Sequence, residues 1–142
     1  MGGAMAAILM MHLMVDGYEI EKVITFGQPK VINHKGAKKY RDAPLLRVVD
    51  RDDLVPLVPP LTIVSALHGS YAHFGEEVML LEGKYYSFVT EGKAHNPMVE
   101  SFWLNLGHES LEDHFMKNYL KRIKPKLDGG VAVPYNKRHE YE

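Results

Sequence analysis

The sequence has no cysteine, and this absence removes several classes of site at once. Disulfide frameworks, thiolate-bound metals and a cysteine nucleophile are all excluded, while the cellular compartment stays undecided. An excess of charge of one sign is also missing, because 17 Lys and Arg residues stand against 18 Asp and Glu residues, for a net charge of −1. A protein so balanced has no strong overall field for nucleic acid or anionic lipid, and we therefore expect no nucleic-acid partner.

Charge is absent altogether from the first 15 residues, MGGAMAAILMMHLMV, if the histidine is neutral. A signal peptide would have a basic segment ahead of its apolar core, but the first lysine of this chain is Lys22. A membrane span needs about 20 apolar residues, and Asp16 and Gly17 interrupt the run before that length is reached. We therefore expect no transmembrane segment, and we predict a helix that is covered by other parts of the protein on most of its circumference.

The remaining pattern is that of one α/β domain. The chain has 142 residues, 46% of them hydrophobic, which suits a single folded domain. Apolar, β-branched runs at 21–27 and 45–50 are typical of strands that are buried in a parallel sheet. The runs 77–81 and 85–90 flank a short turn that contains Gly83, which predicts a hairpin.

A helix is predicted to begin near Ser110 and to continue to Ile123, since apolar residues recur there at helical spacing. Five basic residues lie in the second half of this segment and just after it, and we expect them to form a solvated face. They are Lys117, Lys121, Arg122, Lys124 and Lys126. Residues 128–142 contain two adjacent glycines and a charged end, which predicts a tail, so the domain is expected to span 1–127.

Four segments together resemble the class 3 (fungal-type) lipase family of the α/β-hydrolases. Residues 1–7, MGGAMAA, resemble the end of that family's nucleophile elbow, G-H-S-x-G-G-A-x-A. Residues 25–31, TFGQPKV, resemble T-F-G-x-P-R/K-V, and residues 53–60, DLVPLVPP, resemble D-I/L-V-P-x-x-P-P. Residues 71–78, YAHFGEEV, are similar to the Y-x-H-x-G-x-x-V/L run that follows this loop. The four matches occur in family order and at family spacing across about residues 1–123.

The resemblance implies a particular part of that fold. It is the C-terminal part of an α/β-hydrolase sheet, with parallel strands, a hairpin and flanking helices, and with the N-terminal strands missing. The family's serine would lie immediately before Met1, and no G-x-S-x-G occurs in the sequence. We therefore expect a chain that starts one residue after the nucleophile.

The resemblance also implies two members of a Ser-His-Asp triad, with Asp53 as the carboxylate and His114 as the histidine. In such a triad the aspartate fixes the tautomer of the imidazole and stabilises the imidazolium that forms. Asp52 is the alternative carboxylate, and His108 is the alternative histidine. Without the resemblance, the acidic run at 50–53 is typical of a turn.

The residues at the chain start are implied to belong to the elbow and the oxyanion hole. The backbone N–H of the residue after the serine donates to the oxyanion in the family, and that residue corresponds to Met1. Gly2 and Gly3 are expected to permit the close approach of other backbone segments. The helix that begins there directs its positive end toward the site.

Eight histidines raise the question of a metal site. His68 and His73 are five residues apart and His108 and His114 are six apart, whereas a helical zinc pair is spaced i, i+4. We expect no metal and no cofactor, and His73 matches a family position that is structural. A histidine-linked metal domain is kept as the least favoured alternative.

The resemblance implies a lipase or esterase that cleaves carboxylic esters, with an ester or lipid as its substrate. The chain as given is expected to be inactive alone because the serine is missing. The alternative is a non-catalytic pseudo-hydrolase or interaction domain. In either case the strand at 23–26 would be left as an apolar edge, and dimerisation through this edge would cover it.

Overall fold

A computed structural model describes residues 1–57, 70–89 and 114–141. Its helices are α1 (Gly2–Val15), α2 (His34–Lys39) and α3 (Met116–Ile123), with 3-10 turns at Val55–Leu57, Lys124–Lys126 and Tyr135–Tyr141. Its strands are β1 (Val23–Phe26), β2 (Ile32–Asn33), β3 (Leu45–Asp50), β4 (Tyr71–Ala72), β5 (Glu76–Leu80), β6 (Tyr85–Val89) and β7 (Val131–Ala132).

A mostly parallel five-stranded sheet organises the molecule, in the order β1-β3-β5-β6-β7. Strands β1, β3 and β5 run parallel to one another, β6 forms an antiparallel hairpin with β5, and β7 is parallel to β6. The strands β2 and β4 form a separate antiparallel pair. The predicted parallel strands and hairpin of an α/β-hydrolase sheet are confirmed.

Helices cover both faces of this sheet. Because successive side chains of a strand point to opposite faces, those of β3 contribute to a core on each side. On one face, Leu45 packs with Ala7 and Met10 of α1. On the other face, Val48 packs with Tyr119 of α3. Strand β3 is therefore buried on both sides, which accounts for its continuous apolar sequence.

Helix α1 forms where it was predicted, but the described residues cover only one of its sides. Ala7 and Met10 are buried, whereas Leu9 is 58% and Met5 63% exposed. The prediction of cover on most of the circumference is not met within this part of the chain. At 14 residues α1 is also short for a bilayer, and no helix among the described residues is long and apolar enough to cross one.

The predicted helix from Ser110 to Ile123 differs from the helix that is found. Residues 110–113 lie outside the described residues, and α3 begins only at Met116. Phe115 precedes it in an extended conformation, with φ −73° and ψ 137°. His114 therefore lies before the helix and not within it.

Residues 128–142 were predicted as a tail, but much of this segment packs against the sheet. Val131–Ala132 extends the sheet as β7, next to Tyr85 and Tyr86. Val133 is buried with Met79 and Leu81. The glycines and charges that suggested a tail are confined to the turn at 128–130 and to the exposed side of the last 3-10 turn. The boundary at residue 127 itself stays a prediction.

Candidate active site

The carboxyl ends of β1 and β3 lie side by side, because the two strands are parallel and in contact. Gly27 follows the last residue of β1, and Asp53 follows the end of β3 by three residues. Open α/β sheets place their ligand sites at this edge. The segment from Asp50 to Leu57, called the Asp53 loop below, therefore starts from the edge where a site is expected.

Asp53 is buried, at 4% exposed, and both of its carboxylate oxygens accept hydrogen bonds. The backbone N–H of Val55 donates to Oδ1 at 2.9 Å. The hydroxyl of Tyr119 donates to Oδ2 at 2.5 Å, and Nδ1 of His114 lies 2.9 Å from the same oxygen. Three partners from two separate segments thus fix the orientation of this carboxylate.

The geometry of His114 determines its tautomer. A carboxylate oxygen only accepts, so Nδ1 carries the hydrogen and Nε2 is left to take up or release a proton. The His114 side chain is 30% exposed, whereas the Asp53 side chain is fully buried. This is the relation between imidazole and aspartate that proton transfer in a Ser-His-Asp site requires.

Tyr119 connects the Asp53 carboxylate to the start of the loop. Its hydroxyl donates to Asp53 and accepts from the backbone N–H of Asp50 at 3.2 Å. Burial, together with the negative charges of Asp53 and Asp50, raises the pKa of Tyr119 well above its usual value. At neutral pH the phenol is therefore protonated and keeps its donor role.

Gly27 lies against the Asp–His pair so closely that no side chain fits. It has φ +55°, and a Cβ at this position would lie 2.5 Å from Oδ2 of Asp53 and 2.7 Å from the His114 ring. Only glycine combines this backbone conformation with this approach. The T-F-G segment therefore leaves the space that the pair occupies.

The start of α1 touches the same turn. A Cβ on Gly3 would lie 3.3 Å from the carbonyl oxygen of Phe26 and from Cβ of Gln28, so the close approach predicted for the glycines occurs at Gly3. At Gly2 nothing in the described chain lies within 4 Å of such an atom. Met1 is the N-cap of α1 and is 89% exposed. The helix N-terminus and the Asp–His pair thus lie next to one turn, residues 26–28.

Arg122 of α3 binds the first half of the Asp53 loop. Its guanidinium lies 3.3 Å from Oδ1 of Asp50 and also pairs with Asp52 and with Glu82 of the hairpin turn. The expectation of a solvated face is therefore wrong for Arg122, whose side chain is only 16% exposed. The local pattern of charges concealed this contact, although Arg122 is three residues after Tyr119 and so lies on the same side of the helix.

The alternative residues take other places. Asp52 contacts Arg51 and Arg122, and the carboxylate that contacts His114 is that of Asp53. His108 lies outside the described residues, as does His68. Across residues 1–57, 70–89 and 114–141, no three His, Asp or Glu side chains converge in a way that suits a metal ion.

The sheet, its flanking helices and the edge that carries the Asp–His pair define an α/β-hydrolase-like lipase fold. Two comparisons support this fold. Residues 1–63 match the family model of lipase (class 3), which confirms over this range the resemblance that the sequence motifs indicate. Among solved structures, lipase II from Rhizopus niveus is similar with a TM-score of 0.59 and 24% identity.

The structural match covers 80% of this chain but 42% of the Rhizopus niveus lipase. The chain therefore spans less than half the length of that solved lipase. No curated protein matches the sequence.

Proposed function

We propose that Asp53 and His114 are the aspartate and histidine of a Ser-His-Asp site that hydrolyses carboxylic esters of the lipase or esterase type. One observation carries the proposal: the 2.9 Å contact from Nδ1 of His114 to the buried carboxylate of Asp53, at the carboxyl end of a parallel sheet. The class 3 lipase match over residues 1–63 supports an ester or lipid as the substrate.

The roles of His114 and Asp53 follow from the tautomer of His114, in which Nδ1 carries the hydrogen. A serine hydroxyl attacks the ester carbonyl while Nε2 of His114 takes its proton, and the same nitrogen then protonates the departing alcohol. Asp53 stabilises the imidazolium between these two steps. The resulting acyl-enzyme is hydrolysed by water, which His114 activates in the same way.

In a chain that is extended upstream, the peptide N–H of Met1 is the proposed oxyanion donor, because α1 begins next to the turn that touches the pair. A donor of this kind contributes about 10²–10³ in rate when it is held in place. The helix N-terminus adds a favourable partial positive charge.

The 142 residues by themselves contain no G-x-S-x-G, so we propose that they do not hydrolyse esters at an enzymatic rate. Removal of a triad member leaves only about 10³–10⁴-fold catalysis over water. This remaining catalysis depends on an intact oxyanion hole. The test compares p-nitrophenyl ester hydrolysis by the 142-residue chain with that of a chain extended upstream through Gly-His-Ser.

We expect activity only in the extended chain, and its loss when the added serine is replaced by alanine. Within the extended chain, His114→Gln should abolish turnover, whereas His139→Gln, at an exposed histidine, should not. Equal and robust activity in both chain lengths would overturn the proposal. No activity in either would favour the non-catalytic interaction domain, for which dimerisation through the β1 edge, measured by sedimentation, stays a prediction.

A further inference from the structure

The Asp53 loop ends in a 3-10 turn, Val55–Leu57, whose last carbonyl groups need donors. A continued 3-10 helix would offer the carbonyl of Pro56 the N–H of residue 59, and that of Leu57 the N–H of residue 60. Both residues are proline and have no N–H to donate. The sequence therefore removes the two donors that a continued 3-10 helix would use at the position where the turn ends.

Two side chains from distant segments bind these two carbonyl groups. Nε2 of His73 lies 2.6 Å from the carbonyl oxygen of Pro56. Nζ of Lys30 donates to the carbonyl oxygen of Leu57 at 3.0 Å. Because a carbonyl oxygen only accepts, Nε2 of His73 carries the hydrogen.

From this arrangement we infer that Lys30 and His73 are positioning residues that fix the orientation of the Asp53 carboxylate through the Val55–Leu57 turn. The path is short. The N–H of Val55, the first residue of the turn, donates to Oδ1 of Asp53, and the N–H of Leu57 donates to the carbonyl of Leu54 at 3.0 Å. The role in catalysis rests on the proposed function of Asp53, but the mechanical coupling does not.

The surroundings of His73 favour this role. Burial, and then the positive charges of Arg47 and Lys30, lower the pKa of His73 well below its usual value. Arg47 is itself paired with Glu77 at 2.9 Å. The imidazole is thus held neutral, with one hydrogen, in the tautomer that donates to Pro56.

The surroundings of Lys30 also favour this role, because the residue is only 8% exposed. A buried ammonium is costly unless it is paired or hydrogen-bonded, and burial lowers the pKa of Lys30 below its usual value. The carbonyl group of Leu57 needs a donor from position 30. We therefore expect lysine or arginine to fit at this position and an apolar residue not to fit.

The inference also gives one physical reason for three of the sequence motifs. The T-F-G-x-P-R/K-V segment supplies Lys30, the Y-x-H-x-G segment supplies His73, and the paired prolines at 59 and 60 remove the local donors. Each motif alone is a weak signal. Together they describe one hydrogen-bonded support of the Asp53 loop.

The experiment measures backbone amide exchange in the 142-residue chain, so that no enzymatic activity is needed. His73→Asn places its amide nitrogen near the position of Nδ1 and cannot reach Pro56, whereas His73→Gln places it near Nε2 and can. We expect His73→Asn to increase the exchange of the Val55 and Leu57 amides while amides within β3 stay protected. His73→Gln should retain the protection.

Lys30 has a matched pair of its own. Lys30→Met removes the donor and keeps an apolar stem, and Lys30→Arg restores a donor. The first should increase the exchange of the Leu57 amide and the second should not. Where Lys30→Met fails to fold, the two His73 variants decide the question. The inference is contradicted if the Val55 and Leu57 amides exchange equally fast in His73→Asn and His73→Gln. It is also contradicted if neither variant exchanges these amides faster than the unmodified chain does.

Kinetics of the serine-containing extended chain separate positioning from general stability. We expect His73→Asn to lower kcat with little change in KM, and His73→Gln to restore kcat. If the extended chain hydrolyses no ester, the proposed function fails, whereas the exchange results still decide whether Lys30 and His73 support the loop. Altered exchange with an unchanged kcat would overturn the positioning role alone.

Discussion

The Asp53 loop and helix α1 meet at the same edge of the sheet, but they are held in opposite ways. The loop is fixed by directional contacts from Lys30, His73, Tyr119 and Arg122, which all lie far from it in sequence. Helix α1 is held by non-directional packing of one side, where Ala7 and Met10 are buried. The loop should therefore respond sharply to the loss of single atoms, whereas α1 should tolerate changes on most of its surface.

Around the Asp53 loop, the largest effect is expected for Gly27→Ala, at the contact with the Asp–His pair. The positive φ costs about 1–2 kcal/mol for a non-glycine residue, and overpacking adds about 1–3 kcal/mol. Gly83→Ala is the matched control, because Gly83 has φ +53° but a Cβ at this position would meet no atom of the described chain within 4 Å.

Urea unfolding should show a loss of about 2–5 kcal/mol for Gly27→Ala and about 1–2 kcal/mol for Gly83→Ala. If the two variants lost the same free energy of unfolding, the close approach of Gly27 to Asp53 and His114 would be refuted. The loop would then be less tightly packed than its hydrogen bonds indicate.

An intermediate effect is expected for Tyr119→Phe, which removes one hydroxyl and leaves the ring in place. The N–H of Asp50 and Oδ2 of Asp53 would each lose a partner in a buried site. Such a loss costs about 1–3 kcal/mol. Tyr18→Phe, at a tyrosine that is 63% exposed, should change the free energy of unfolding by less than about 0.5 kcal/mol. Equal values for the two variants would show that the hydroxyl of Tyr119 does not stabilise the loop.

The smallest effect is expected on the open side of α1. Leu9→Gln exchanges two residues of similar helix propensity at a position that is 58% exposed, so the free energy of unfolding should change by less than about 0.5 kcal/mol. The adjacent Met10→Ala, at a position that is 1% exposed, should cost about 2–5 kcal/mol. A large cost for Leu9→Gln would mean that α1 is covered on most of its circumference, as the sequence predicts, and would remove the contrast with the loop.

Patterning of apolar residues was sufficient to predict four of the five strands of the sheet, whereas β7 lies in the segment that was predicted as a tail. The apolar run of β3 was predictable because the strand is buried on both faces, and the hairpin was predictable because its turn contains a glycine at positive φ, Gly83. The run of β1 was equally predictable, although Ile24 is 52% exposed and one face of this strand is open among the described residues. The extended conformation of Phe115, just before α3, could not be predicted. The apolar spacing continues through this residue, and the residue types there give no marker of an extended backbone.

The Asp–His pair was predicted from the resemblance, since composition alone makes 50–53 an ordinary turn. The support around it was harder to predict. Lys30 and His73 bind backbone carbonyl groups, which every residue has and no sequence pattern distinguishes. Arg122 lies in a basic segment that is typical of a solvated face, and its three carboxylate partners come together only when the chain is folded.

The two ends of the sheet differ in their capacity to pair with another strand. At one end, β7 is two residues long and the last 3-10 turn folds back, with the carbonyl of Tyr141 accepting from the N–H of Glu82. At the other end, β1 pairs, within the described residues, with β3 alone. Among residues 1–57, 70–89 and 114–141 the five-stranded sheet thus has one extended edge, and two chains that are joined through it would leave no second such edge in this part of the chain. If the rest of the chain adds no further edge, association through β1 is expected to stop at pairs of chains and not to continue into fibrils.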